Sequence, residues 1–192
     1  HTQMKKTIIL LAAVLIQTAV YAQTWSLDKG HANLKFTVTH LMLSDVDGRF
    51  KDFDATITSA KPDFTDAKFD MTAKIASVDT DNERRDADLT SDKYFDAAKY
   101  PTLSFTSTSI TPAGTNKFKL AGNLTIHGVT KAVTFDLLFR GAKVHPFTKA
   151  DVAGFQLSGT ISRKDFGVGS APEAIVGDEI TIKANGEFAK AK

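Results

Sequence analysis

The feature that most constrains the fold is an alternation of apolar and polar residues, repeated in short runs along the chain. A period of two places successive side chains on opposite faces of a strand, so each run predicts a strand with one buried face. With a further strand predicted near residues 50–58, the total is eight. The seven clear runs occupy residues 32–39, 69–76, 103–106, 120–126, 133–139, 155–161 and 180–184.

Most connections between these runs are short and carry turn residues such as Asp47-Gly48 and His127-Gly128. Short connections indicate antiparallel neighbours. Eight such strands have two economical arrangements, a sandwich and a closed barrel. An eight-stranded barrel is just wide enough to be filled by its own side chains or to hold one small ligand. The pattern alone leaves both a solid core and an apolar cavity open.

Two segments interrupt the alternation. Residues 81–99 are charged, with apolar residues at Leu89, Tyr94 and Phe95, and predict one or two short helical turns that end before Pro101. Residues 164–177 contain three glycines and one proline and predict a long loop.

The N-terminus is typical of an export signal. Lys5 and Lys6 precede an apolar run that ends at a small-residue cleavage pattern, residues 20–22. The run is shorter than the roughly 20 residues of a spanning helix, so we expect no stable membrane span after cleavage. Three residues precede Met4 and are left out of the fold prediction. The predicted boundaries are 1–22 for these residues and the signal peptide, and 23–192 for one periplasmic or secreted domain.

Without Lys5 and Lys6, the basic residues equal the 22 acidic ones in number. This balance, without a basic stripe, argues against nucleic acid as a partner. The chain has no cysteine, so disulfides, thiolate metal sites and thiol nucleophiles are excluded.

The remaining chemistry-bearing residues form no catalytic or metal motif. His31 and His40 would lie roughly 30 Å apart on an unbroken strand, and His127 and His145 match no ligand spacing. No Gly-x-Ser-x-Gly nucleophile elbow occurs. We therefore expect a binding protein and not an enzyme, with no metal and no cofactor.

Arg84, Arg85 and Asp86 lie together in the irregular segment. One interpretation is a solvated loop. The other is an anion clamp at a barrel mouth, because arginine offers a bidentate fork to phosphate or carboxylate.

Several motifs, in order along the chain, resemble the YceI-like family. The resemblance runs from Trp25 over nearly the whole predicted domain. It rests on Trp25-Ser-Leu-Asp28 with His31, Phe36-Thr-Val-Thr-His40, Arg85-Asp86, Tyr94-Phe95-Asp96, Lys99-Tyr100-Pro101, Leu124 to Lys131 with Phe135, Phe166-Gly-Val-Gly169 and Val176-Gly-Asp-Glu-Ile180.

This resemblance implies an all-β fold, an extended lipocalin-like eight-stranded antiparallel β-barrel with a short helical insertion. It also implies a periplasmic or secreted protein that binds a long-chain isoprenoid or other amphiphilic lipid in an apolar tunnel. The chain departs from the family at Asp88, where a histidine is frequent, and at Ala132, where a proline is frequent. Asp88 adds negative charge near an anionic head group, which leaves neutral heads such as quinones or amides open.

The predicted ligand-binding residues are inward-facing strand residues, with His40 and Arg85 at the mouth for the head group. They are Phe36, Val38, His40, Phe69, Met71, Arg85, Leu103, Phe105, Leu124, Ile126, Phe135, Leu137, Phe155, Leu157, Ile180 and Ile182. Two other functions stay open: a structural or stress-protective interaction protein with a filled barrel, and an enzyme acting on a lipid-like substrate. A homodimer is also left open.

Overall fold

The structure, a computed structural model, describes residues 21–192. The predicted signal peptide, apart from Tyr21 and Ala22, lies outside the described residues. The chain forms ten strands: β1 (Gln23–His40), β2 (Ser44–Phe50), β3 (Phe53–Ser59), β4 (Lys68–Lys74), β5 (Val78–Asp79), β6 (Thr102–Pro112), β7 (Lys117–Ile126), β8 (Val129–Val144), β9 (Asp151–Ser162) and β10 (Val176–Lys190). One helix, α1 (Glu83–Thr90), and two short 3-10 turns, Ile75–Ser77 and Lys164–Phe166, complete the described elements.

Eight of the strands close into an antiparallel barrel. Their order is β1, β3, β4, β6, β7, β8, β9 and β10, and β10 pairs back onto β1 from Trp25 to His40. The closed pairing confirms the predicted eight-stranded barrel, and the sandwich alternative was wrong. Closure leaves no free sheet edge among these eight strands, so their backbone groups pair within the barrel.

The two further strands lie outside the closed ring. The last residues of β1, from Lys35 to His40, pair with β2, which in turn pairs with β5. The strand predicted near residues 50–58 is β3, which begins later than predicted, at Phe53. Phe50 belongs to β2, and a bend at Lys51 and Asp52 separates the two strands.

Side chains that face the barrel interior alternate with side chains that face solvent along each barrel strand, as the sequence predicts. In β7, for example, Leu120, Leu124 and Ile126 are buried while Lys119 and Asn123 are exposed. The buried set forms one continuous apolar cluster within the barrel. Burial of this face is the main source of stability, because the chain has no cysteine to form a disulfide.

The predicted helical turns and long loop both lie at one end of the barrel. Helix α1 begins after Asn82, whose side chain accepts a hydrogen bond from the backbone N–H of Arg85 at 3.0 Å. This N-cap explains why the helix starts within a charged, polar segment. The loop at residues 164–175 follows β9 and leads into β10.

Candidate ligand-binding cavity

The barrel encloses an apolar cavity of about 210 Å³. Fourteen of the sixteen predicted residues line it, all of them apolar strand residues. They are Phe36, Val38, Phe69, Met71, Leu103, Phe105, Leu124, Ile126, Phe135, Leu137, Phe155, Leu157, Ile180 and Ile182. Contact of these side chains with a ligand stays a prediction, but the structure places them together on one inner surface.

One end of the cavity is closed by an aromatic cluster, which we call the plug. The loop between β3 and β4 places Phe64 inside the barrel, where the residue is 1% exposed. Its ring centroid lies 5.2 Å from Trp25, 5.1 Å from Phe139 and 5.1 Å from Phe155. Edge-to-face and tilted contacts of this kind are favourable beyond the apolar area they bury.

The plug loop is fixed by one carboxylate. Asp66 accepts hydrogen bonds from the Ser59 hydroxyl at 2.6 Å and from the backbone N–H of Ala60 at 2.9 Å. Partial burial alone would raise the pKa of Asp66, but these hydrogen bonds outweigh it and lower that pKa. The bonded carboxylate therefore holds the loop, and with it Phe64, in the end of the barrel.

Three strand glycines make room for cavity-lining phenylalanine rings on neighbouring strands. A Cβ atom at Gly48 would lie 2.2 Å from Cζ of Phe36, and one at Gly122 would lie 2.5 Å from Cζ of Phe105. At Gly159 the corresponding distance is 2.6 Å to Cδ1 of Phe135. Each ring therefore covers a glycine on the wall. Because the rings lie against the wall, they leave space in the lumen that they would fill if they pointed toward its centre.

The other end of the cavity, which we call the mouth, is where β1 ends and β10 begins. Val38, Val176 and Ile180 carry the apolar lining to this end. The last turn of α1 and the segment that follows it cross this end and add Leu89, Tyr94 and Phe95 to the lining.

Packing contacts fix this crossing segment on three sides of the barrel. The ring centroid of Phe95 lies 6.0 Å from that of Phe50 at the end of β2. The Tyr94 ring packs directly on Gly169, because a Cβ atom on that glycine would lie only 2.7 Å from the ring. Tyr100 contacts His127 in the turn between β7 and β8, with centroids 4.8 Å apart. Residues 89–100 therefore form a cover over part of the mouth.

The structure does not bring His40 and Arg85 to the cavity lining. His40 is exposed at the end of β1, opposite Ser44. The Arg85 guanidinium donates to the hydroxyl and the carbonyl oxygen of Thr80, each at 2.8 Å, while Asp86 accepts from the Thr80 backbone N–H and hydroxyl. Arg85 and Asp86 thus tie α1 to the end of β5. Their placement gives the predicted head-group contact no support.

A buried arginine that the sequence did not single out organises the mouth. Arg163 is 4% exposed and lines the cavity. Its five N–H bonds reach five backbone carbonyl oxygens at 2.7–3.1 Å, those of Gly177, Val168, Gly169, Ala171 and Val176. All of its donors are therefore occupied by the loop that leads into β10.

The predicted ligand-binding set omitted some strand residues that line the cavity, such as Leu34, Leu120 and Ile161, and also side chains outside the strands. Leu89, Tyr94 and Phe95 stand among charged residues without strand periodicity, and their only signal was apolar character in a polar stretch. Arg163 lies in a run of polar residues that is typical of a turn, and no sequence pattern marks its burial.

On the outer surface, Asp28, His31 and Glu187 have ligand atoms within 4.8 Å of one another, and all three are exposed. The His31 imidazole is hydrogen-bonded to the Asp28 carboxylate at 2.8 Å, which lowers the pKa of Asp28 and raises that of His31. The geometry accounts for this trio as a surface ion pair with a neighbouring carboxylate.

Among the described residues, no helix is long and apolar enough to cross a membrane.

Comparison of the whole chain with known proteins agrees with this architecture. A UPF0312 protein of Pseudomonas fluorescens is 39% identical over 176 residues, which are 85% of this chain and 87% of the relative. A UPF0312 protein of Staphylococcus aureus is 31% identical over 169 residues, 85% of this chain and 96% of the relative.

Solved structures share the fold. The Campylobacter jejuni YCEI protein is 35% identical, with a TM-score of 0.74 over 80% of this chain and 90% of its own. Burkholderia cenocepacia BcnA is 27% identical, with a TM-score of 0.76 over 84% of this chain and 98% of its own.

A polyisoprenoid binding domain from Saccharophagus degradans, implicated in plant cell wall breakdown, is 15% identical with a TM-score of 0.68. It covers 87% of this chain and 98% of its own, and at this identity the likeness shows the fold alone. The family model described as the YceI-like domain matches residues 25–188, from the Trp25 of the plug to the Phe188 near the end of β10. The chain therefore belongs to the YceI-like domain family.

Proposed function

We propose that this chain is an exported binding protein that encloses a polyisoprenoid or similar amphiphilic lipid, for carriage, storage or sensing. The observation that carries the proposal is the cavity itself, apolar along its walls, plugged by Phe64 at one end and continued to the mouth by Val38 and Val176. Burial of an apolar chain there is favourable by roughly 25 cal/mol per Å² removed from water, and no covalent step is needed. The polyisoprenoid binding domain with the same fold supports the ligand class.

The mouth favours a ligand whose head group carries little charge. All five N–H groups of Arg163 donate to backbone carbonyl oxygens of the loop, and Arg85 donates to Thr80. Asp88 on α1 is exposed and adds negative charge at this end. Both of these arginines are thus already occupied, so a neutral head in contact with water fits best.

Export is part of the proposal and rests on the N-terminal sequence. The basic pair Lys5-Lys6, the apolar run and the small-residue pattern at residues 20–22 support a cleaved signal peptide.

Uptake of a polyprenol tests the proposal. Every strand lies between Gln23 and Lys190, so a chain from Gln23 to Lys192 contains the whole barrel. We expect it to carry an added polyprenol through gel filtration at about one per chain. Ala184→Phe places a ring in the cavity and should abolish uptake, whereas Ala121→Phe, outside the lining on β7, should keep it. Equal uptake by both variants would contradict binding in the cavity.

The filled-barrel interaction protein is a second candidate, and one observation favours it. The cavity of about 210 Å³ is smaller than the roughly 300–1,000 Å³ of typical small-molecule sites. A long chain must therefore displace lining side chains, such as the flexible Met71, or extend through the mouth. A well-folded barrel that takes up no polyprenol would establish this candidate instead.

A further inference from the structure

The turn between β1 and β2 exposes three consecutive apolar side chains. Leu41, Met42 and Leu43 are 47%, 76% and 85% exposed. Ile175, 44% exposed, lies beside them, because its carbonyl oxygen accepts a hydrogen bond from the Leu41 N–H at 2.9 Å. We call these four residues the apolar tip. Single exposed apolar residues are ordinary, but a contiguous group of large ones marks an interaction site.

The backbone of the tip is unfavourable for the residues it carries. Leu41 and Met42 have φ values of 52° and 56°, and the Leu43 N–H closes the turn onto the His40 carbonyl oxygen at 3.0 Å. The connection has three residues, and its turn from His40 to Leu43 has positive φ at both central positions, a geometry that strongly prefers Asn-Gly. Leucine and methionine are disfavoured there because their Cβ atoms crowd the backbone. Neither turn chemistry nor burial within the chain accounts for these two residues, which points to a contact outside it.

The apolar tip continues the cavity lining. Val38 and Val176 line the cavity, and Val176 directly follows Ile175 of the tip. In the sheet, His40 pairs with Val176, so the last cavity-lining residues and the tip are neighbours. A surface held by the tip therefore lies at the mouth.

Charge at the tip selects the kind of surface. The charged side chains closest along the two strands behind it are acidic: Asp45, which accepts from the Thr39 hydroxyl, Asp178, which accepts from the Ser162 hydroxyl, and the exposed Glu179. The nearby Lys164 is paired with Glu173 at 3.0 Å. His40 is exposed beside the turn. Such surroundings would not attract an anionic surface, whereas a zwitterionic surface meets no net repulsion.

We propose that the apolar tip docks this protein on a zwitterionic lipid bilayer, with Leu41, Met42 and Leu43 inserted at the boundary of head groups and acyl chains. A narrow projecting turn fits deformable acyl chains without a preformed pocket, as interfacial membrane segments do. This inference goes beyond enclosure of a lipid, because docking requires only the tip and not an occupied cavity.

The decisive variant restores the preferred turn. In a chain from Gln23 to Lys192, Leu41→Asn with Met42→Gly removes two apolar side chains and relieves the backbone. We expect its melting temperature to stay equal or rise, while co-sedimentation with phosphatidylcholine vesicles falls about tenfold because the inserted apolar area is lost. Leu43→Ser, which leaves both positive-φ residues unchanged, should also reduce co-sedimentation.

Phe147→Ser is the matched control, since Phe147 is 88% exposed in the turn between β8 and β9 at the plug end. We expect this variant to sediment with vesicles like the unmodified chain. Ala184→Phe, which fills the cavity, should also keep vesicle binding, so failure of docking and failure of lipid uptake are distinguishable. Undiminished binding by the Asn-Gly variant would overturn the proposal. Binding that appears only when phosphatidylglycerol is added would overturn the choice of a zwitterionic surface.

Discussion

Gly48 on β2 lies directly opposite Phe36 on β1, and the Phe36 ring occupies the space that a Gly48 side chain would fill. A Cβ atom there would approach Cζ of Phe36 to 2.2 Å, so any side chain must push the ring away. The direction open to the ring is the cavity that it lines. The size of the lumen at the mouth thus depends on Gly48 having no side chain, although β2 lies outside the closed barrel.

We therefore expect Gly48→Ala to destabilise the barrel by about 1–3 kcal/mol, as overpacking does, and to weaken polyprenol uptake. Urea unfolding and gel-filtration uptake measure the two effects. Gly154→Ala is the control, because a Cβ there meets only Arg140 at an ordinary 3.6 Å. If the two variants behave alike in both measurements, the account of Phe36 is wrong.

The packing of the plug predicts that removal of the Phe64 ring strongly lowers the free energy of unfolding. Phe64→Ala should lower the free energy of unfolding by about 3–5 kcal/mol, because it leaves a void among Trp25, Phe139 and Phe155. The equally aromatic but exposed Phe147, changed to alanine, should alter it by no more than about 0.5 kcal/mol. A Phe64→Ala cost near that of Phe147→Ala would show that the plug does not close the barrel end.

Arg163 should be irreplaceable by lysine. An ammonium group has three donors and cannot reach the five carbonyl oxygens that the guanidinium holds. We expect Arg163→Lys to cost about 2–5 kcal/mol and to speed amide hydrogen exchange in residues 164–177 before the rest of the barrel. Arg140→Lys, at an exposed arginine bonded to Gln156, is the comparison. Unchanged exchange in the loop would contradict the role given to Arg163.

Acid should loosen the link between β2 and β5. Asp79 accepts a hydrogen bond from the Asp81 N–H and another from the Arg49 guanidinium, and these lower its pKa from 3.8 to about 2. Because the folded-state pKa lies below the unfolded value, this stabilisation is complete above about pH 4 and is lost as pH falls toward 2.

Asp79→Asn should consequently reduce stability near neutral pH and flatten the fall in stability between about pH 4 and pH 2. Urea unfolding across that range, with the surface variant Asp92→Asn as control, measures the slope. An Asp79→Asn slope as steep as that of the unmodified chain would rule out this carboxylate as a source of the acid sensitivity.

The strand periodicity predicted the barrel walls well because apolar and polar residues alternate along a strand that is buried on only one face. Leu124 and Ile126 alternate with polar residues and line the cavity as expected. β2 was missed because most of its residues are polar or exposed, and the prediction of a turn at Asp47-Gly48 was wrong, since both residues pair with β1 in the middle of β2. The second half of β6 was missed for a similar reason, since its Thr and Ser residues face water around a bulge between Ser107 and Ser109.

The mouth could not be predicted in the same way, because its residues meet through long-range packing of irregular segments. The run Arg84, Arg85 and Asp86 left a solvated loop and an anion clamp open, but Arg85 and Asp86 are both used to hold Thr80. The contacts of Arg163 depend on a loop conformation that no period describes. Leu41 and Met42 occupy a turn whose preferred residues are different, so local turn chemistry gave no indication of them.

Native mass spectrometry of the protein purified from cells, followed by solvent extraction and mass analysis of the extract, tests the central claim most directly. The account predicts one bound amphiphile with a long apolar chain and a head group of little charge per barrel, lost in Ala184→Phe and kept in Ala121→Phe. A folded barrel that carries no such molecule, and that also fails to take up added polyprenol, would contradict it.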